Sequence, residues 1–243
     1  MMAIDVIDRR LAAHPWNTIF FAVFALFFYT AMVFGLASFI WPNLTEIATQ
    51  RNAESVQIIW LLQVIVQLAI FAHVSYWAES VGAGPLAGRV KLDMNWALIG
   101  VIGAPILFIV SINLAASLFA NGDPNWAYRD DFDYDTMNRQ ALGLLMFTSV
   151  ILLAPMVEEV IYRGVVIGYL LGRGVPALMT VAISALGFTA LHMQYTVPAL
   201  IAIFTLGLFL GWLRLASKSI LPPILAHMAV NLYSVITLAL NPA

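Results

Sequence analysis

Long apolar runs separated by short polar breaks organise most of the chain. The runs are continuous, without the strict apolar/polar alternation of a membrane strand, so they predict helices and not a barrel. Residues Thr18–Thr45, Ser55–Ala78, Met94–Gly122, Gln140–Val157, Gly174–Leu191, Met193–Leu213 and Ser219–Ala243 carry no Asp, Glu, Lys or Arg. Most reach the roughly 20 residues that a helix needs to cross hydrocarbon. The predicted architecture is all-α: a polytopic transmembrane helix bundle of about seven spans, seven to eight in all, with a buried polar pocket. Span 1 runs from about Thr18 to Trp41, span 2 from Val56 to Trp77 and span 3 from Trp96 to Phe119, with Pro105 as a kink. Span 4 starts near Gln140 and bends at Pro155. Spans 5 to 7 cover Pro176–His192, Val197–Leu213 and Ile220–Leu240.

Composition strengthens this reading. Of 243 residues, 62% are hydrophobic and only 10% charged, a balance foreign to soluble domains. One integral membrane domain fills residues 1–243, with motif-free spans over 1–139 and a second part over 140–243. The net charge of −2 and the lack of a Lys/Arg cluster exclude nucleic acid as a partner. With no cysteine there is no disulfide, thiolate metal site or thiol nucleophile. Residues 18–41 follow Arg9 and Arg10 as a signal peptide would, but the run is too long and further spans follow, so it reads as a retained first span.

Basic residues set an orientation. With the N-terminus in the cytoplasm, the inner segments hold Arg9, Arg10, Arg89, Lys91, Arg163, Arg173, Arg214 and Lys218, and the outer ones hold Arg51, Arg129 and Arg139. The excess of inner cations favours that placement, in a bacterial inner membrane. The outer loop Asn121–Arg139 carries Asp131, Asp133 and Asp135 at the spacing that opens a calcium loop. Thr136 and Leu142 then stand where such a loop needs Gly and Glu, so it reads as a solvated acidic loop. Gly164, Gly168 and Gly172, like Gly207 and Gly211, recur every fourth residue and bare a helix face for close packing.

The chemistry gathers in Ala154–Gly164, A-P-M-V-E-E-V-I-Y-R-G. An ionisable group at the centre of a membrane helix costs about 2.5–3.5 kcal/mol, so Glu158, Glu159 and Arg163 need partners or a use. Glu159 and Arg163, four apart with the acid first, form a helical ion pair. Glu158 points about 100° away and is left over. Later spans offer F-T-A-L-H, with Phe188 and His192 four apart, and H-M-A-V-N, with His227 and Asn231 four apart. A desolvated carboxylate serves as general base, an imidazole shares its water, and an imidazole beside an amide donates to an oxyanion. Such a set suits hydrolysis without a serine. The first three spans show no comparable constellation, and His73 and Asn113 read as isolated helix-to-helix hydrogen bonds.

E-E-x-x-x-R (Glu158, Glu159, Arg163), F-x-x-x-H (Phe188, His192) and H-x-x-x-N (His227, Asn231), in that order, resemble the motifs of the CAAX-protease and bacteriocin-processing (Abi) family of intramembrane endopeptidases. The resemblance spans about Leu142 to Leu240. It implies a glutamate-dependent, metal-independent protease whose eukaryotic members remove the last three residues of prenylated C-a-a-X proteins. Carried over, Glu158 activates water with His192 as its partner, and His227 with Asn231 stabilises the oxyanion. Glu159 and Arg163 hold the base or help seat substrate, and Phe188 lines the pocket. The implied partners are a membrane-anchored peptide or protein substrate and the lipid bilayer, with no cofactor. Three alternatives stay open: a zinc protease using the same carboxylates and imidazoles, a transporter or channel with a buried proton relay, and a silent scaffold that keeps the pocket for binding.

Overall fold

The computed structural model describes residues 6–40, 53–119 and 143–240. The acidic loop and the outer cations Arg51, Arg129 and Arg139 lie outside the described residues. Every regular element among those described is a helix, as the continuous apolar runs predict. In chain order they are α1 (Val6–Ala12), α2 (Asn17–Ile40), α3 (Ala53–Ser80), α4 (Met94–Phe119), α5 (Leu144–Gly172), α6 (Ala177–Ala190), α7 (Val197–Ser217) and α8 (Leu221–Leu240).

Five of these, α2, α3, α4, α5 and α7, are long and apolar enough to cross a membrane. The expected span 7 agrees with α8 to within one residue, whereas the expected span 5 comes out shorter. Helix α6 has 14 residues, about 21 Å of rise. Proline marks several starts: Pro176 caps α6, Pro198 sits in the first turn of α7, and Pro222 and Pro223 open α8, where the missing N–H has no helical partner to lose. Helix α4 runs through Pro105 without ending.

Helix α5 is the axis of the fold. It continues past Pro155 to Gly172, so Glu158 stands at its midpoint. Its hydrogen bonding changes register twice. Thr148–Leu153 and Val160–Val166 are π-helical, and the α-helical turn between them, Ala154–Glu159, carries both glutamates. Proline explains the first change. The N–H of Ala154 bonds the carbonyl of Ser149, five residues back, so the next carbonyl in that register, Val150 O, faces Pro155, which has no N–H. Asn231 of α8 donates to it from Nδ2 at 2.7 Å. In the second π segment the Tyr162 carbonyl accepts from Ser184 Oγ of α6 at 3.0 Å.

The packing glycines behave as predicted. A Cβ on Gly164 would meet Leu86 O at 2.8 Å, one on Gly207 would meet Ala185 Cβ at 3.1 Å, and one on Gly211 would meet Val181 Cγ1 at 2.8 Å. Gly168 and Gly172 serve an element that the polar composition of Met1–His14 did not announce. Helix α1 lies across the end of α5, with Leu11 and Asp8 against Gly168 and the Asp8 carbonyl against Gly172. Asp8 reaches Arg214 of α7 at 3.6 Å, both buried. Arg10 donates to the Gly82 carbonyl at 2.7 Å, and Arg173 to that of His14 at 2.6 Å. The basic residues 9, 10, 173 and 214 thus share one end of the bundle with the turn at 81–84. Arg163 is the exception: fully buried within α5, it belongs to no loop, which corrects the inner-segment tally from eight to seven.

Candidate active site

The two glutamates of α5 have separate surroundings. Glu159 is fully buried; its Oε1 accepts from Arg163 Nη1 at 3.0 Å and from His227 Nδ1 at 2.9 Å. Arg163, equally buried, also donates from Nη2 to the Gly207 carbonyl at 3.2 Å, and its guanidinium carbon stands 4.5 Å from the centre of the Phe188 ring. Four helices meet here: α5 supplies acid and base, α6 the aromatic face, α7 a carbonyl laid bare by glycine, and α8 an imidazole. These internal partners let an ion pair persist where water is excluded, although Glu159 Oε2 and Arg163 Nε have no hydrogen-bond partner among the described residues.

Glu158 faces the other way. Its side chain lines a cavity of about 500 Å³ together with His192, His227, Asn231 and Phe188. Its Oε2 is buried and has no hydrogen-bond partner among the described residues. The nearest cationic candidate, His227 Nε2, is 4.0 Å away, beyond hydrogen-bond reach, and leaves both atoms to a third group in the cavity.

The imidazoles are oriented through their Nδ1 atoms. His192 follows the last turn of α6, and its Nδ1 sits 2.9 Å from the Phe188 carbonyl; a carbonyl only accepts, so Nδ1 carries the hydrogen and Nε2 is left for the cavity. His227 repeats the arrangement with Glu159 as acceptor. The Phe188 ring separates and supports them, at 4.8 Å from His192 and 5.5 Å from His227 between ring centres. Asn231, one turn beyond His227, has one amide N–H committed to Val150 O and keeps a second.

All seven residues singled out in the sequence therefore meet around one cavity and the ion pair behind it. Two free imidazole nitrogens and a carboxylate are also the donor types zinc prefers. Yet among the described residues no three His, Asp or Glu side chains are gathered so as to hold one ion. The sequence reading also left out a wall of the cavity. Helix α3, read as free of reactive groups, contributes Trp60, Gln63 and Gln67 to the lining. Their spacing of three and four, in a span otherwise mostly apolar, is the signal that marks one helix face.

Residues 140–233 match the family described as type II CAAX prenyl endopeptidase Rce1-like. The chain carries a CAAX protease domain. The matched segment contains all three motifs and runs from the beginning of the expected fourth span into α8. No curated protein and no solved structure matches the chain. The match over residues 140–233 and the five membrane-length apolar helices among the described residues fit a multi-pass integral membrane protein.

Proposed function

We propose that the protein is an intramembrane endopeptidase that hydrolyses a peptide bond in a membrane-tethered substrate, of which a prenylated C-a-a-X protein is one type, with Glu158 as the general base. The observation that carries this reading is the division of labour between the adjacent glutamates: Glu159, fully buried, gives Oε1 to Arg163 and His227 and stays out of the cavity, whereas the Glu158 side chain lines it. Glu158 takes a proton from water, with Nε2 of His192 as a second acceptor that orients the water. The hydroxide oxygen attacks the scissile carbonyl. The oxyanion accepts hydrogen bonds from the free N–H of Asn231 and from Nε2–H of His227, a role that requires the doubly protonated ring, since Nδ1–H stays with Glu159. Collapse breaks the C–N bond, and the proton held by Glu158 passes to the leaving amine. Glu159 and Arg163 hold His227 and the helix that bears Glu158, and Phe188 sets the spacing of the two rings.

No step passes through a metal, and chelators should leave the activity unchanged. The topology we propose has seven crossings, counting α6 and α8, with the N-terminus in the cytoplasm of a bacterial inner membrane. The deciding experiment compares wild-type and Glu158→Gln protein on a fluorescence-quenched lipidated peptide in liposomes. Cleavage by the first and a loss of at least about a hundredfold in the second are expected for a missing general base. Equal cleavage by both removes Glu158 from the mechanism, and binding without cleavage by the wild type favours a silent scaffold.

A further inference from the structure

The cavity has a wall opposite in kind to its catalytic side. Helix α3 places Trp60, Gln63 and Gln67 along the lining, all on one helical face. Trp60 and Gln67 are more than nine-tenths buried, and Trp60 Nε1 and Gln67 Oε1 have no hydrogen-bond partner among the described residues. Ser149 Oγ, on the neighbouring π-helical turn of α5 and also lining the cavity, is likewise buried and unpartnered. Polar groups inside membrane bundles ordinarily serve to hydrogen-bond one helix to another. These do not: Trp60 Nε1, Gln67 Oε1 and Ser149 Oγ bond to no neighbouring helix among the described residues, and all three side chains line the cavity.

We infer that Trp60, Gln63 and Gln67 form a rail that hydrogen-bonds the backbone of a substrate peptide lying extended across the cavity, which makes them positioning and specificity-determining residues for the proteolysis proposed above. Trp60 Nε1–H donates to a peptide carbonyl, and the Gln67 amide, which offers an acceptor and donors in a single plane, accepts a peptide N–H. From Trp60 to Gln67 the helix rises about 10 Å. An extended chain rises about 3.3 Å per residue, so the rail matches roughly three residues of backbone. A helical substrate could not use it, because its N–H and C=O groups are already paired with one another. The substrate class that follows is a segment that is unwound, or readily unwinds, at the cleavage site, read mainly through its backbone and only secondarily through its side chains.

The test uses the full chain in detergent or liposomes, a quenched lipidated peptide, and analogues of that peptide N-methylated at one backbone position at a time. With wild-type protein, methylation at the position facing Gln67 should lower kcat/KM by about tenfold, the loss of a single hydrogen bond in a dry site. Gln67→Met should lower kcat/KM for the parent peptide by a similar factor and should show less than about a twofold further effect of methylation there. Trp60→Phe, which removes the N–H and keeps an aromatic ring, should cost about fivefold. An unchanged kcat/KM in both variants, or an equal loss for every methylated peptide, overturns the rail while leaving the protease reading intact. A second arm measures binding of dye-labelled peptide to Glu158→Gln and to Glu158→Gln/Gln67→Met. Weaker binding by the double variant supports the rail even if no peptide is cleaved by the wild type, and equal binding by both overturns it.

Discussion

Glu158 and Glu159 are neighbours in sequence with about 100° of helix between their directions, so one can face inward to Arg163 while the other faces a cavity. The ion pair is fully desolvated, and the penalty for leaving one buried charge unmatched exceeds the net worth of the pair. Glu159→Ala and Arg163→Ala should therefore each destabilise the protein by about 3–5 kcal/mol. Glu159→Ala/Arg163→Ala together should cost clearly less than the sum, read as thermal unfolding midpoints in detergent. An additive double variant would mean that the two side chains do not act as a pair.

Asn231 illustrates a residue with two obligations. One amide N–H closes the backbone gap left by Pro155, and only the other is available to chemistry. Asn231→Ala should thus lower stability by about 1 kcal/mol, the net worth of a hydrogen bond to a part-buried carbonyl, in addition to any loss of activity. Pro155→Ala supplies a backbone N–H that can take over. In that background the stability cost of Asn231→Ala should shrink by at least half, while its effect on cleavage persists. If the stability cost is the same in both backgrounds, the bond from Asn231 to Val150 contributes nothing to the fold.

At the level of elements, spacing in the sequence carried much of the arrangement. The pairs Glu159/Arg163, Phe188/His192 and His227/Asn231 sit four residues apart on α-helical or near-helical backbone, and so each shares a face in the structure much as periodicity requires. The bonds between helices were less legible. Nothing in a one-dimensional pattern says that His227 turns Nδ1 to Glu159, or that α3 supplies a wall of the cavity, because those contacts depend on how separate spans are placed side by side. Helix lengths were legible only to a few residues, and α6 stops at Ala190 because the chain turns there to aim His192 inward. Helix α1 was hidden for a different reason: seven residues give too little periodicity, and its partner surface is a bare glycine face. That face gives a direct test. A side chain at position 172 would collide with the Asp8 carbonyl and Ala12. Gly172→Val should dislodge α1 and expose the segment before α2 to protease at least severalfold faster, while Gly35→Val, at an exposed site where an added Cβ meets nothing, should leave its digestion rate unchanged.

For the molecule as a whole, the seven-crossing topology makes a pattern that can be read from the two sides of the membrane. Alternate crossings put the α1 segment, the 81–93 connection, the turn after α5 and the turn after α7 on one side, and the turn after α6 on the other. The first set carries the basic residues, so it should face the cytoplasm, where juxtamembrane Lys and Arg are retained. The chain has no cysteine, so single cysteines can report on this without any background substitution. Ala13→Cys, Leu92→Cys and Lys218→Cys, all at exposed positions, should react with a membrane-impermeant maleimide only in inside-out vesicles. Met193→Cys, exposed beyond the end of α6, should react only from the opposite side. Helix α6 decides the matter because its 14 residues fall short of a full span, and the residues that follow it must still deliver His192 to the level of Glu158 at mid-helix. Should Met193→Cys label from the same side as Leu92→Cys, with Lys218→Cys moved to the opposite side, α6 is re-entrant and the crossings are fewer than seven.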